Sequence, residues 1–334
     1  MEDLKEIVSN NFYDKISFDY FDWDLVLDSA SNINIFYLIR NIKYYAEYFN
    51  GTNFSFILYE NHYPVGLFPL ILHKKDGAWV LSAEGVNLIR PLFINNIAKK
   101  TKKRLEKTII KTIFDISKKL NINVVKVFEF DDKLSTWYLL WLDKANKVFV
   151  THHLMIDLEP SLEEIKSGFR KSYKPLVNKA LREYDISACQ EDIESLFEEF
   201  RLLHLHIAGK QTRSLKSWKD QQELIENDEA FLVSVRDKDT LVGAGFFTYT
   251  KDIGSYSVGA YKRELHNKSI GHGVQMKAIE FLKKQGCKKY YIGQKITQLD
   301  IIQPTDKEVS ISHFKEGFAS SVLVHPCLEI RINE

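Results

Sequence analysis

Cysteine is scarce in this chain of 334 residues: three thiols, Cys189, Cys287 and Cys327, stand far apart with no CxxC pair. That pattern excludes a disulfide framework and a thiolate metal cluster, and it fits a reducing compartment. Net charge is also missing, since 46 basic residues meet 45 acidic ones. No global field therefore draws a polyanion to the protein. The N-terminal MEDLKEIVSNNFYDK has no apolar core of signal-peptide length, and no run elsewhere is long and apolar enough to span a bilayer. A cytoplasmic protein without a membrane segment is the expectation. With only 15 Gly and 7 Pro, the chain is far from disordered or collagen-like composition.

What is abundant is apolar and aromatic: 45% hydrophobic residues, including 22 Phe and 16 Tyr. These supply large surfaces to bury, and the length exceeds one ordinary core. Two domains are expected, over 1–148 and 149–334. The densest basic run, Lys99 to Arg104, opens an amphipathic helix pattern over 98–119, where a solvated face competes with contact to phosphate or an acidic surface.

Periodicity predicts a hairpin-rich sheet, a helix and a strand in each half. FILYENHYPVGLFPLIL at 56–72 parallels FLVSVRDKDTLVGAGFFTY at 231–249, each an apolar strand, a charged turn and a strand containing Val-Gly. An internal structural duplication follows from that echo. The stretch 64–72 reads as one strand with Pro64 and Pro69 marking an edge or a bulge. Further strands are expected at 150–158, 253–261 and 289–293. Helices are expected from Pro160 through GFRKSYK, after Pro175, at 191–208, at 215–227, and at 269–285 with Gly286 as the stop.

Lys268-Ser-Ile-Gly271-His272-Gly273 stands where strand or loop becomes helix. Glycines there let backbone amides approach a phosphate, and the first helical turn supplies oriented N–H donors. The same glycines also serve a turn and close packing.

Here the sequence resembles the GNAT acyltransferase superfamily, whose acyl-CoA signature is Arg or Gln, two residues, Gly, one residue, then Gly or Ala. Lys268, Gly271 and Gly273 follow that form with lysine in the opening position. The resemblance implies an acyl-CoA cosubstrate with its diphosphate at Lys268, Gly271, His272 and Gly273. Three further passages resemble the two-domain Fem-type branch: Phe169-Arg-Lys-Ser-Tyr-Lys174 leading to Asn178-Lys-Ala180, Gly286 with Tyr290-Tyr-Ile-Gly293, and His313-Phe-Lys-Glu-Gly-Phe318. That branch implies an α/β chain of two mixed-sheet GNAT-like domains in tandem, and transfer of an amino acid from aminoacyl-tRNA to an amine on an envelope precursor. No long paired-helical insertion is evident, and the GxG favours acyl-CoA over charged tRNA as donor.

Acyl transfer to an amine needs placement and stabilisation of a developing oxyanion more than a fixed triad. Tyr256 and Tyr261 are candidate proton donors to a leaving thiolate, with plain packing as the alternative. Lys315 is a candidate for a substrate phosphate or the oxyanion, and His313 for accepting the amine proton. Arg170, Lys171 and Lys174 form a candidate patch for an anionic substrate, with Arg170 and Lys174 four apart on an expected helix. His204 with His206, and His152 with His153, have spacings that turn each pair to different faces, so no metal site is expected. The expected partner is an amine-bearing small molecule, amino sugar or glycan precursor. A GNAT-like protein that binds carbohydrate or another protein without catalysis is the competing class.

Overall fold

The computed structural model describes residues 4, 6–8, 20–130, 133–191, 193–298, 300 and 303–332, with the side chains of 266–268 outside that set. The chain forms two compact units, residues 1–151 with 324–334, and residues 152–323.

The first unit opens with α1 (Tyr20–Ser29) and α2 (Ile39–Tyr48), followed by β1 (Thr52–Asn53), β2 (Phe56–Glu60), β3 (Tyr63–Phe68), β4 (Ile71–Lys75), β5 (Ala78–Ser82) and β6 (Leu92–Phe93). Then come α3 (Lys99–Lys119), β7 (Val124–Phe128), α4 (Thr136–Leu142) and the start of β8 (Lys147–Asp157). The expected single strand over 64–72 is two strands. Pro69 cannot donate to a ladder, and the chain leaves β3 there to enter β4 in a different sheet, β1-β4-β5 beside β2-β3-β6. Asn61 and His62 both take left-handed φ, +50° and +68°, giving the tight turn between β2 and β3. The amphipathic reading of 98–119 holds: Leu105, Ile109, Ile110, Ile113 and Ile116 of α3 are buried at helical spacing.

The second unit begins within β8 and continues through α5 (Leu162–Ser167), α6 (Tyr173–Glu183), β9 (Asp185–Cys189), α7 (Ile193–Ala208), α8 (Leu215–Glu226), β10 (Ala230–Asp237), β11 (Thr240–Tyr249) and β12 (Ile253–Tyr261). It ends with α9 (Ile270–Lys284), β13 (Lys289–Gln294), α10 (Asp306–Glu316) and the start of β14 (Ser321–Arg331). The remainder of β14 belongs to the first unit, where it pairs antiparallel with β7, Cys327 opposite Phe128. The sequence boundary at 148/149 falls inside β8.

Within the second unit the strands lie in the order β8-β13-β12-β11-β10-β9, all neighbours antiparallel except β12 and β13. One face carries α9, where Ile270, Val274, Ala278, Ile279 and Leu282 are all buried, as their spacing predicts. The other carries α7 and α8 through Phe197, Phe200, Leu203 and Trp218. Gly286, at φ +84°, lets the chain leave α9, with Cys287 N–H returning to the Leu282 carbonyl at 3.1 Å.

The expected helix through GFRKSYK is broken. A Ser161/Glu164 capping box starts α5, which stops at Gly168, and α6 starts at Tyr173 with Pro175 in its first turn, where the missing N–H costs nothing. Arg170 therefore precedes α6, and it shares no helical face with Lys174.

Candidate functional site

The parallel neighbours β12 and β13 pair over three residues only, Ile253 with Lys289, Gly254 with Tyr290 and Ser255 with Tyr291. Beyond Ser255 the first runs on to Tyr261 and the second to Gln294, unpaired with each other. The sheet thus opens like a wedge. Beyond Ser255 the facing edges form no ladder with each other, while each strand stays anchored on its other side, β12 on β11 and β13 on β8.

Tyr256 and Tyr261 line this opening from β12. Their separation of five would turn them to opposite faces of a regular strand. A bulge breaks the alternation: Phe246 faces Val258, Phe247 faces Tyr256, and Ser257 is the extra residue. Both rings consequently fall on the α9 face, and their hydroxyl oxygens meet at 3.2 Å. Tyr256 also stacks on Phe247, ring centroids 5.0 Å apart. Burial raises both phenol pKa values, Tyr261 the more, so each is a neutral O–H at physiological pH. On β13, Tyr290 donates a 2.5 Å hydrogen bond to Gln275 Oε1 of α9.

Lys315 comes from α10, and its Nζ sits 5.0 Å from the Tyr256 ring centroid. Gly293, at φ +147°, makes room for it, because a Cβ there would lie 2.6 Å from Nζ. Burial pushes the Lys315 ammonium down to about 8. The adjacent carboxylate, Glu316, is held by Lys295 at 2.5 Å and approached by Arg170 at 3.9 Å. No ion pair reaches Lys315 among the described residues.

Two of the three segments that carry the Fem resemblance meet at the end of α10, whose last turn leaves carbonyls without helical partners. Arg170 Nη2 donates to the His313 carbonyl at 3.1 Å, Tyr173 Oη to the Phe314 carbonyl at 3.0 Å, and Arg170 N–H to the Gly317 carbonyl at 2.8 Å. Arg170 also reaches Tyr173 Oη at 3.1 Å. Gly317 is bare because the Tyr173 ring occupies the position of its Cβ. Arg170 is thus built into the scaffold that aims Lys315. Lys171 and Lys174 are exposed. His313 is exposed too, with Nδ1 3.3 Å from Arg170 Nη1, and two helical positions from Lys315 it points away from the opening.

At the start of α9, Ser269 takes left-handed φ, +62°, and its carbonyl accepts from His272 N–H at 2.9 Å. Gly273 lies against Ile186 of β9 and Ala180 of α6, and the Phe314 ring sits 3.2 Å from a Cβ position at Gly271. Both glycines thereby serve helix packing. A diphosphate here would rest on the first-turn amides, while the Lys268 side chain is outside the described residues. His272 is enclosed by Tyr173, Phe314 and Phe318 at centroid distances of 4.5, 5.0 and 5.7 Å, with neither ring nitrogen hydrogen bonded.

Burial pushes His272 down to about 4. Between pH 6.5 and about 4 the unfolded chain binds a proton that the native ring refuses, so its contribution to stability falls as pH drops through that window and is constant below it. Buried Glu106 of the first unit, pushed up to about 7, has the opposite slope between 4.5 and 7. Comparison of urea midpoints for wild type and His272→Phe isolates the histidine: wild type should lose stability relative to the variant as pH falls from 6.5 to about 4. A constant gap would remove that role.

No protein-family model matches the sequence, and neither does any curated protein. Solved structures do match. FemX aligns with a TM-score of 0.67 at 12% identity, over 94% of this chain and 96% of that one. The chain shares with FemX a tandem GNAT-like α/β fold. L-PGS from Bacillus licheniformis matches this Fem-like fold with a TM-score of 0.58 at 14% identity, over 89% and 92% of the two chains. A conserved protein of unknown function from Bacteroides thetaiotaomicron gives 0.58 at 7%, over 93% and 97%. Such identities carry the fold and no substrate. Among the described residues, no helix is long and apolar enough to cross a membrane, and no three His, Cys, Asp or Glu side chains group as metal ligands.

Proposed function

We propose that the second unit transfers an acyl group from acyl-CoA to the amine of a small metabolite, amino sugar or envelope precursor. The observation that carries this reading is the wedge between β12 and β13, with Tyr256, Tyr261 and Lys315 gathered at its opening. An extended pantetheine can bond to the unpaired strand edges there while its diphosphate lies at the start of α9.

In this mechanism the acceptor amine attacks the thioester carbonyl carbon. The Lys315 ammonium stabilises the oxyanion, where low local dielectric strengthens its effect. As the C–S bond breaks, Tyr256 protonates the leaving thiolate and is reprotonated through Tyr261. The amine proton leaves to solvent, since His313 faces outward.

Intact-mass analysis of amine panels incubated with acyl-CoAs, and separately with aminoacyl-tRNA, tests the donor. Acylated amine with stoichiometric free thiol is expected from acyl-CoA. Product from charged tRNA alone would make the protein an aminoacyltransferase, and saturable ligand binding without product from either donor would favour a non-catalytic binder.

A further inference from the structure

Ordinary lysines are poor acyl acceptors because nearly every molecule is protonated at neutral pH. Other lysines of the second unit show the usual ways of staying so. Lys295 is paired with Glu316, Lys277 with Glu280 at 2.8 Å, and Lys283 is bonded to the Leu158 and Pro160 carbonyls at 2.7 and 2.6 Å. Lys315 has no carboxylate partner among the described residues. It lies against the Tyr256 ring and the bare backbone of Gly293, where the two parallel strands part.

We propose that Lys315 is itself a site of acylation, accepting on Nζ the acyl group of a thioester held in the same opening. The inference rests on the acyl-CoA reading above. The neutral amine attacks the carbonyl carbon, forming a C–N bond, and the C–S bond breaks with its electron pair leaving on sulfur. The proton released from nitrogen passes to the thiolate, with the Tyr256 and Tyr261 hydroxyls as carriers. The products are an Nε-acyl-lysine and a free thiol, with no other reactant. With an amine shifted to about 8, roughly one molecule in ten is neutral at pH 7, against about one in 3,000 for an ordinary lysine. Acylation removes the cation assigned to the oxyanion and fills the wedge. Donor without acceptor would then shut the site down.

The full-length protein is incubated with acetyl-CoA in the absence of amine, digested, and mapped by peptide mass. The expected result is acetylation of Lys315 at least tenfold faster than of exposed Lys171 or Lys174, suppressed by an excess of a good acceptor amine and absent in Lys315→Arg. A parallel arm uses limiting N-hydroxysuccinimidyl acetate, which needs no coenzyme A site, and should also label Lys315 first. Labelling spread evenly over exposed lysines in both arms, while amine acylation proceeds, overturns the proposal and leaves the transferase reading standing. Selective labelling by the reagent but none by acetyl-CoA removes the proposed donor, and if amines also stay unmodified the transferase reading falls with it.

Discussion

Lys315→Met is expected to lower kcat/KM for amine acylation by about 100- to 1,000-fold, the range typical of losing one oxyanion donor. Methionine keeps an apolar stem against Tyr256 and removes the only charge that comes so close to that ring from α10. The donor's KM should change much less than kcat, because a cation that acts on developing charge contributes little to ground-state binding. Arginine is not a conservative replacement here. Its planar fork is larger than an ammonium, and the Lys315 tip already lies against the bare backbone of Gly293. Steady-state thiol release read against donor concentration separates the two parameters. Full activity in Lys315→Met would remove the residue from the chemistry.

Gly317→Ala should destabilise the fold by about 1–3 kcal/mol, the usual cost of forcing atoms into a packed site. The backbone at Gly317 is ordinary, φ −65°, so the cost is steric. An added methyl meets the Tyr173 ring, whose hydroxyl holds the Phe314 carbonyl at 3.0 Å. Displacing that ring also loosens the end of α10 that carries Lys315. Urea midpoints for Gly317→Ala, Tyr173→Leu and the double variant test this pairing. The two changes should be less than additive, since the smaller leucine leaves room for the methyl. Strict additivity would mean the ring and glycine do not interact.

Most helices and strands of the second unit are legible in the sequence because period and punctuation agree. The buried face of α9 follows from Ile270, Val274, Ala278, Ile279 and Leu282, and its end from Gly286. The duplicated hairpins are legible for the same reason. β14 belongs largely to the first unit, and no local feature announces a strand that pairs with one some 200 residues upstream. α10 buries Ser312 alone and so carries no apolar stripe to mark it, although Thr305 and Glu308 spell the capping box that starts it. On that helix His313 and Lys315, two positions apart, turn to different sides.

The candidate residues are legible in the sequence as a set, and their arrangement is not. Strict alternation puts Tyr256 and Tyr261 on opposite faces, and only the bulge at Ser257 brings their hydroxyls together. Gly293 carries no sequence mark of its role beside Lys315, because that contact joins β13 to α10. Arg170 read as a substrate contact since its charge is local information, whereas the carbonyls it caps are brought to it by the fold. The GxG at 271–273 shows the reverse case. Its motif is plain, yet the spaces beside its glycines are filled by Ile186, Ala180 and Phe314, which leaves the backbone amides as the feature for a phosphate.

Calorimetric titration of coenzyme A into the full-length protein, with Lys315→Met alongside, tests the central claim most directly. The account predicts one saturable site per chain, retained in the variant while its turnover collapses. No coenzyme A binding, together with binding and turnover of aminoacyl-tRNA, would contradict it.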